Sequence, residues 1–131
     1  MDAQCQSSIL IVEDDASIRM LIIEVLQQGG YQTTAVIDAE TALQEMRTGT
    51  FGMVLTDYQL PGISGDQLIS RITKTWPQTR TLLMSAHPDV AQMAERCKAD
   101  AMFRKGEPMA QLLACVTGLL PATSAPGCYA S

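Results

Sequence analysis

Across residues 9–120, short apolar runs alternate with stretches whose apolar residues recur every three or four positions. Ile9–Val12, Thr33–Ile37, Met53–Thr56, Thr81–Met84 and Ala101–Arg104 read as strands. Between them, Ile18, Leu21, Ile22, Val25 and Leu26 share one helical face, and Gly29-Gly30 ends that pattern. Ala39, Ala42, Leu43 and Met46 form a second stripe, started by Asp38 as a cap and stopped at Gly49. Ser64 and Gln67 have the spacing of a capping box, and the helix that follows, with Leu68, Ile69 and Ile72 inward, should finish before Pro77. Pro88 and Pro108 suit first helical turns, leading into Val90, Met93, Ala94 and Cys97, and into Met109, Leu112, Leu113, Val116 and Leu120. Regular alternation of this kind predicts βαβ units around a parallel sheet.

The strands are not equivalent. Residues 9–12, 53–56 and 82–84 are almost wholly apolar, as strands covered on both faces must be, whereas Thr33-Thr34 and Arg104 are polar. The second and fifth strands are therefore expected at the sheet edges. That arrangement makes the chain reverse direction after the first strand and opens a crevice between strands one and three. The crevice lies between Asp14 and Asp57.

The ends of these runs carry the candidate chemistry. Val12 is followed by Glu13-Asp14-Asp15, Thr56 by Asp57, Met84 by Ser85 and Arg104 by Lys105. In a parallel sheet these ends share one edge, where open α/β sheets bind ligands. Ionised carboxylates about 4 Å apart repel by roughly 4 kcal/mol at an effective dielectric near 20, so such a cluster calls for a divalent cation. An all-oxygen set selects magnesium over zinc or copper. Asp57, followed by a glycine-containing loop that leaves it reachable, is the candidate nucleophile, with Lys105 and the Ser85 hydroxyl supplying positive charge and a hydrogen-bond donor. Asp15 is read as the cap of the first helix.

Composition narrows the picture. The 131 residues, 47% of them hydrophobic, suit one domain with a sizeable core. A net charge of −5 argues against direct nucleic-acid binding and against anionic membranes. No apolar stretch approaches a membrane span, and residues 1–8 lack the features of a secretory signal, so the cytoplasm is the expected compartment. Cys5, Cys97, Cys115 and Cys128 show no metal or redox spacing; Cys97 and Cys115 are read as buried reduced thiols, Cys5 and Cys128 as tail residues. Trp76 and the eight methionines are read as packing, and the sole histidine, His87, as exposed beside the site. Residues 1–8 and 121–131 are expected to be tails flanking a domain at 9–120.

Ile-Val-Glu-Asp-Asp at 11–15, Leu-Thr-Asp-Tyr-Gln-Leu-Pro-Gly-Ile-Ser-Gly at 55–65, Met-Ser-Ala at 84–86 and Lys105, in this order and each at a strand end, resemble the receiver domain of bacterial two-component response regulators. The resemblance spans Ile9–Leu120. It implies a doubly wound, flavodoxin-like α/β fold: a five-stranded parallel sheet in the order 2-1-3-4-5 with five flanking helices. It implies that Asp57 accepts a phosphoryl group from the phosphohistidine of a sensor histidine kinase or phosphotransfer protein. Asp14, Asp57 and the backbone carbonyl of Gln59 would hold magnesium, with Glu13 acting through a bound water. Ser85 and Lys105 would contact the phosphoryl oxygens, while Gln59 and His87 would tune hydrolysis at the pocket rim. The output would pass through the fourth and fifth helices and the strand between them to a downstream protein whose identity the sequence does not give. With no output domain after Leu120, either another protein reads the state or the receiver belongs to a larger chain.

Two positions depart from the family pattern. Gly106 follows Lys105, where the family usually has a proline joined by a cis bond; a non-proline cis bond costs about 2.5–4 kcal/mol, so a trans, looser loop is expected. Met102 stands at a switch position often held by tyrosine or phenylalanine, which removes the inward turn of an aromatic ring. A receiver-shaped interaction module that has lost phosphorylation is therefore the principal alternative, set against the intact Glu13, Asp14, Asp57, Ser85 and Lys105. A phosphatase with an aspartyl nucleophile would want a second acid where Gln59 stands. A flavin site would want an uncharged first loop, and a calcium loop would need alternating acids around a glycine.

Overall fold

A computed structural model describes residues 7–121; Cys5, Cys128 and most of both expected tails lie outside the described residues. Five parallel strands, β1 (Ser8–Val12), β2 (Gln32–Val36), β3 (Met53–Asp57), β4 (Arg80–Ser85) and β5 (Ala101–Arg104), form one sheet in the order β2-β1-β3-β4-β5. The helices between and after them are α1 (Ala16–Gln28), α2 (Ala39–Thr48), α3 (Gly65–Thr75), α4 (Val90–Cys97) and α5 (Met109–Leu119). The two strands with polar residues stand at the edges as expected, and β1 starts one residue earlier than the apolar run, at Ser8.

Alternate residues of each strand serve opposite cores. Ile9, Ile11, Met53 and Leu55 pack with Ile22 and Leu26 of α1 and Leu112 and Val116 of α5. Leu10, Val12 and Val54 pack with Ala39, Leu43 and Met46 of α2 and Leu68 and Ile72 of α3. Leu83 joins Ile69, Val90, Met93 and Cys97 in a third cluster under α4. Strands covered on both sides have no polar face, which is why β1 and β3 read as continuous apolar runs.

Local signals act largely as expected. Asp15 Oδ1 accepts from the Ile18 amide at 3.0 Å, and Asp38 Oδ1 from the Thr41 amide at 2.8 Å. The Ser64 amide donates to Gln67 Oε1 at 3.2 Å within the capping box that opens α3. α1 ends in a Schellman motif, with the Tyr31 amide bonded to Leu26 O and the Gly30 amide to Gln27 O.

Several expectations need correction. Leu21 is 50% exposed: the apolar face of α1 is wider than the surface that β1 and α5 cover, so its flank stays in solvent. Met20 and Met102 are also exposed, against the packing role read for the methionines, although Met46, Met53, Met84 and Met93 are buried. Trp76 packs only partly against the α2–α3 core. Cys97 is a buried free thiol, whereas Cys115 is only half-buried because α5 turns that side toward its rim. Pro88 lies in the turn before α4, whose N-cap is Asp89, and Pro108 is itself the N-cap of α5 with an extended ψ of 141°.

Candidate functional site

The register of the sheet brings the site together. Val12 pairs with Thr56, Asp57 with Met84 and Ser85 with Arg104, so the residues that follow or end these strands emerge along one edge. Carboxylate oxygens of Glu13, Asp14 and Asp57 all lie within 4.8 Å of one another. The Lys105 ammonium reaches across to Glu13 Oε1 at 2.9 Å and Asp57 Oδ1 at 3.0 Å. Glu13 and Asp57 are buried, 1% and 7% exposed, while Asp14 faces solvent.

The backbone holds these groups firmly. The Glu13 amide donates to Val36 O, and Arg19, one turn into α1, donates from Nη1 to Glu13 O at 2.9 Å. The Asp15 amide donates to Glu13 Oε2 at 3.1 Å. Asp57 ends β3; the Thr56 hydroxyl donates to its carbonyl at 2.9 Å, and the next amide, Tyr58, donates to Met84 O. The returning chain passes directly over that carbonyl at Gly65. A Cβ added there would stand 2.0 Å from Asp57 O, well inside contact distance, so only glycine fits.

The electrostatics follow from this crowding. Burial raises the Asp57 and Glu13 pKa values above their ordinary positions; hydrogen bonds and charge from Lys105 oppose the rise, and the neighbouring acids add to it. For Lys105, burial pulls the pKa down, but the bonds to Glu13 and Asp57 outweigh it and the net shift is upward. Three carboxylates against one ammonium leave a formal charge of −2 in a partly dry pocket. Pairs of carboxylates at such separations repel by roughly 3–4 kcal/mol at an effective dielectric near 20.

That imbalance tests whether the residues suit a divalent cation, and they do. The donors are all oxygen, and three converging carboxylates against one ammonium leave a net charge that a dication matches.

The remaining expected residues fall around this centre. Ser85 is buried at the end of β4, where its Oγ accepts from the His87 amide at 3.0 Å, and the Lys105 amide donates to Ser85 O at 2.9 Å. His87 is exposed, its Nδ1 accepting from the Asp89 amide at 3.0 Å. Gln59 is exposed in the loop after β3. Met102 lies on edge strand β5, 37% exposed. Among the described residues no peptide bond is cis, so Lys105–Gly106 is trans; Gly106 has φ +101°, which a proline ring cannot adopt. Sequence reasoning missed the brace from Arg19 and treated Gly65 only as part of a motif; the spacing of Arg19 one helical turn past the acids was the available signal.

Comparison with known proteins agrees with this geometry. The family model described as the response regulator receiver domain matches residues 9–117. The response regulator protein FleR of Pseudomonas aeruginosa is 34% identical over 95 residues, covering 72% of this chain and 20% of that protein. Sporulation initiation phosphotransferase F of Bacillus subtilis is 29% identical over 100 residues, covering 76% and 81%. The chain thus spans only a part of some curated relatives, such as 46% of the transcriptional regulatory protein FixJ of Bradyrhizobium diazoefficiens. Among solved structures, response regulator TrrA of Thermotoga maritima, described as a complex with Mg(2+)-BeF, superposes with a TM-score of 0.79 at 30% identity, covering 86% of this chain and 98% of that one. The chemotaxis response regulator CheY4 of Vibrio cholerae, at 22% identity, shares the fold with a TM-score of 0.80, covering 86% and 98%. With its order of strands, its acidic edge and this match along nearly its whole length, the chain belongs to the response regulator receiver domain family, the phosphoacceptor signalling domains of two-component systems.

Proposed function

We propose that Asp57 is the phosphoacceptor of this receiver, taking its phosphoryl group from a phosphohistidine on a sensor histidine kinase or phosphotransfer protein. The observation that carries this reading is the pairing of Lys105 with both Asp57 and Glu13 in a pocket of three converging carboxylates. Asp57 is buried enough to be held still, and a carboxylate oxygen forms the new P–O bond as the P–N bond to the donor breaks. The bonding pair leaves with the imidazole nitrogen, which takes up a proton.

Glu13, Asp14 and Asp57, with the Gln59 carbonyl, are the groups to hold magnesium, which when bound supplies positive charge to the phosphoryl oxygens. Lys105, paired with Asp57 and Glu13, would supply a second positive charge. The Ser85 hydroxyl, whose oxygen accepts from the His87 amide, keeps its proton to donate to a phosphoryl oxygen, and this shared group links the phosphorylated edge to the loop before α4. Gln59 and His87, both exposed, would tune the approach of hydrolytic water. The output passes through α4, β5 and α5 to a downstream protein, with Met102 repacking as a flexible thioether where an aromatic ring would turn inward.

Incubation with a small acyl phosphate and magnesium tests the reading. Intact mass should rise by one phosphoryl group in the wild type and not at all in Asp57→Asn. No gain in the wild type, with magnesium present and the fold intact, favours the phosphorylation-independent interaction module.

A further inference from the structure

We propose that the groove between the carboxyl ends of α2 and α3 is a docking site for a short acidic peptide segment of a partner protein. The groove has a volume of about 280 Å³ and is lined by Leu43, Arg47, Arg71, Lys74, Thr75 and Trp76. Three of the chain's nine basic residues line this one groove, in a protein of net charge −5. All three are exposed, and among the described residues none of their side chains makes an ion pair or hydrogen bond.

Helix-dipole compensation accounts for only part of this charge. Arg47 and Lys74 stand in the last turns of α2 and α3, where a base complements the dipole. Arg71 does not, and with Lys74 it forms a like-charged pair three residues apart on one helix, an arrangement that weakens the helix. No acid stands three or four residues from Arg47, Arg71 or Lys74: those positions hold Leu43, Gln44, Thr50, Phe51, Gln67, Leu68, Ser70, Thr75, Pro77 and Gln78. Three of the other bases are answered: Arg80 meets Asp100 at 4.0 Å, Lys105 pairs with Glu13 and Asp57, and Arg19 donates to Glu13 O. The positive charge of the groove is therefore left for an external anion.

The remaining lining selects among anions. Half-buried Trp76 and buried Leu43 give the groove an apolar floor, which suits a side chain or backbone segment beside the carboxylates. A long nucleic acid would run beyond the groove onto a surface of net negative charge, starting with the neighbouring cleft, where Asp38 and Glu40 share the wall with Arg71. A short acidic peptide meets only the basic stretch.

The groove lies at the edge of the sheet where β3 and β4 begin, whereas Asp57 ends β3, so occupancy here does not depend on the phosphoacceptor chemistry. The sole tryptophan is in the groove and reports on it directly. Titrating the whole chain with a blocked hexaglutamate peptide should change Trp76 emission saturably, an effect that added salt weakens and that hexaglutamine does not reproduce. The double substitution Arg71→Ala with Lys74→Ala should weaken binding about tenfold or more, while its melting temperature and its phosphorylation stay those of the wild type. Asp57→Asn should bind the peptide as the wild type does. Equal binding by the double variant, an equal response to hexaglutamine, or loss of binding in Asp57→Asn would overturn the assignment. So would tighter binding of a single-stranded oligonucleotide with six phosphates, or self-association of the chain that the double variant abolishes.

Discussion

Two aspartates at opposite edges of the sheet show what separates a structural acid from a reactive one. Asp100, beside the start of β5, is answered from several directions: Oδ2 accepts from the Thr81 amide at 2.9 Å and the Thr81 hydroxyl at 3.4 Å, and Arg80 lies 4.0 Å from Oδ1. It ties β4 to β5 and has nothing left to do. Asp57, at the far end of β3, shares a single ammonium with Glu13 and has Asp14 close by, and burial has pushed its pKa up. One edge spends its charges on holding strands together. The other leaves them unbalanced, and that imbalance is what a cation and a phosphoryl group can use.

The largest expected effect comes from filling the contact that holds Asp57 in place. Gly65→Ala puts a Cβ against the Asp57 carbonyl, so β3 or the start of α3 must shift; a loss of about 3 kcal/mol in chemical denaturation is expected, with impaired phosphorylation. A variant as stable as the wild type would mean that the close approach is not rigid.

Next is Lys105→Met, which removes the only cation paired with Glu13 and Asp57 among the described residues. About 2 kcal/mol should be lost at neutral pH without magnesium, because two buried carboxylates are left unanswered. The same substitution at the answered edge, Arg80→Met, should cost less than about 1 kcal/mol, since the pair is exposed and the Thr81 groups still bond Asp100.

The pH dependence sharpens the contrast. Because the folded Asp57 and Glu13 pKa values are raised, the native state binds more protons than the unfolded chain between the ordinary carboxylate value and the raised one. In that window their contribution to stability falls as pH rises, and above the raised values their destabilising effect is complete. Metal-free wild type minus Asp57→Asn should therefore show a stability difference that moves in favour of the wild type on acidification. A flat difference would remove the electrostatic conflict. Magnesium at 100 times its dissociation constant should add about 2.7 kcal/mol at neutral pH and much less to Asp57→Asn.

Much of this was legible in the chain because the same residues that ended each apolar run also carried the chemistry. A run covered on both faces must stop at its first charge, so Val12 before Glu13 and Thr56 before Asp57 marked strand end and candidate site together. The polar strands foretold the edges for the same reason. What stayed hidden depends on how elements approach one another. The width of the stripe on α1 does not tell how much of it a neighbour covers, so Leu21 was placed inside. Gly65 looks like any loop glycine until the backbone of Asp57 is seen beneath it. Arg19 looks like a surface base until its guanidinium is found on the Glu13 carbonyl. Pro88 and Pro108 were shifted by a residue or more because proline suits both the turn before a helix and its first position.

Locating the phosphoryl group tests the central claim most directly. After reaction with an acyl phosphate and magnesium, reduction of the acyl phosphate with borohydride and peptide mapping should find the modified residue at Asp57 and nowhere else, and in Lys105→Met the yield should fall sharply. Modification at Asp14 or Asp15, or an unchanged yield without Lys105, would contradict the account.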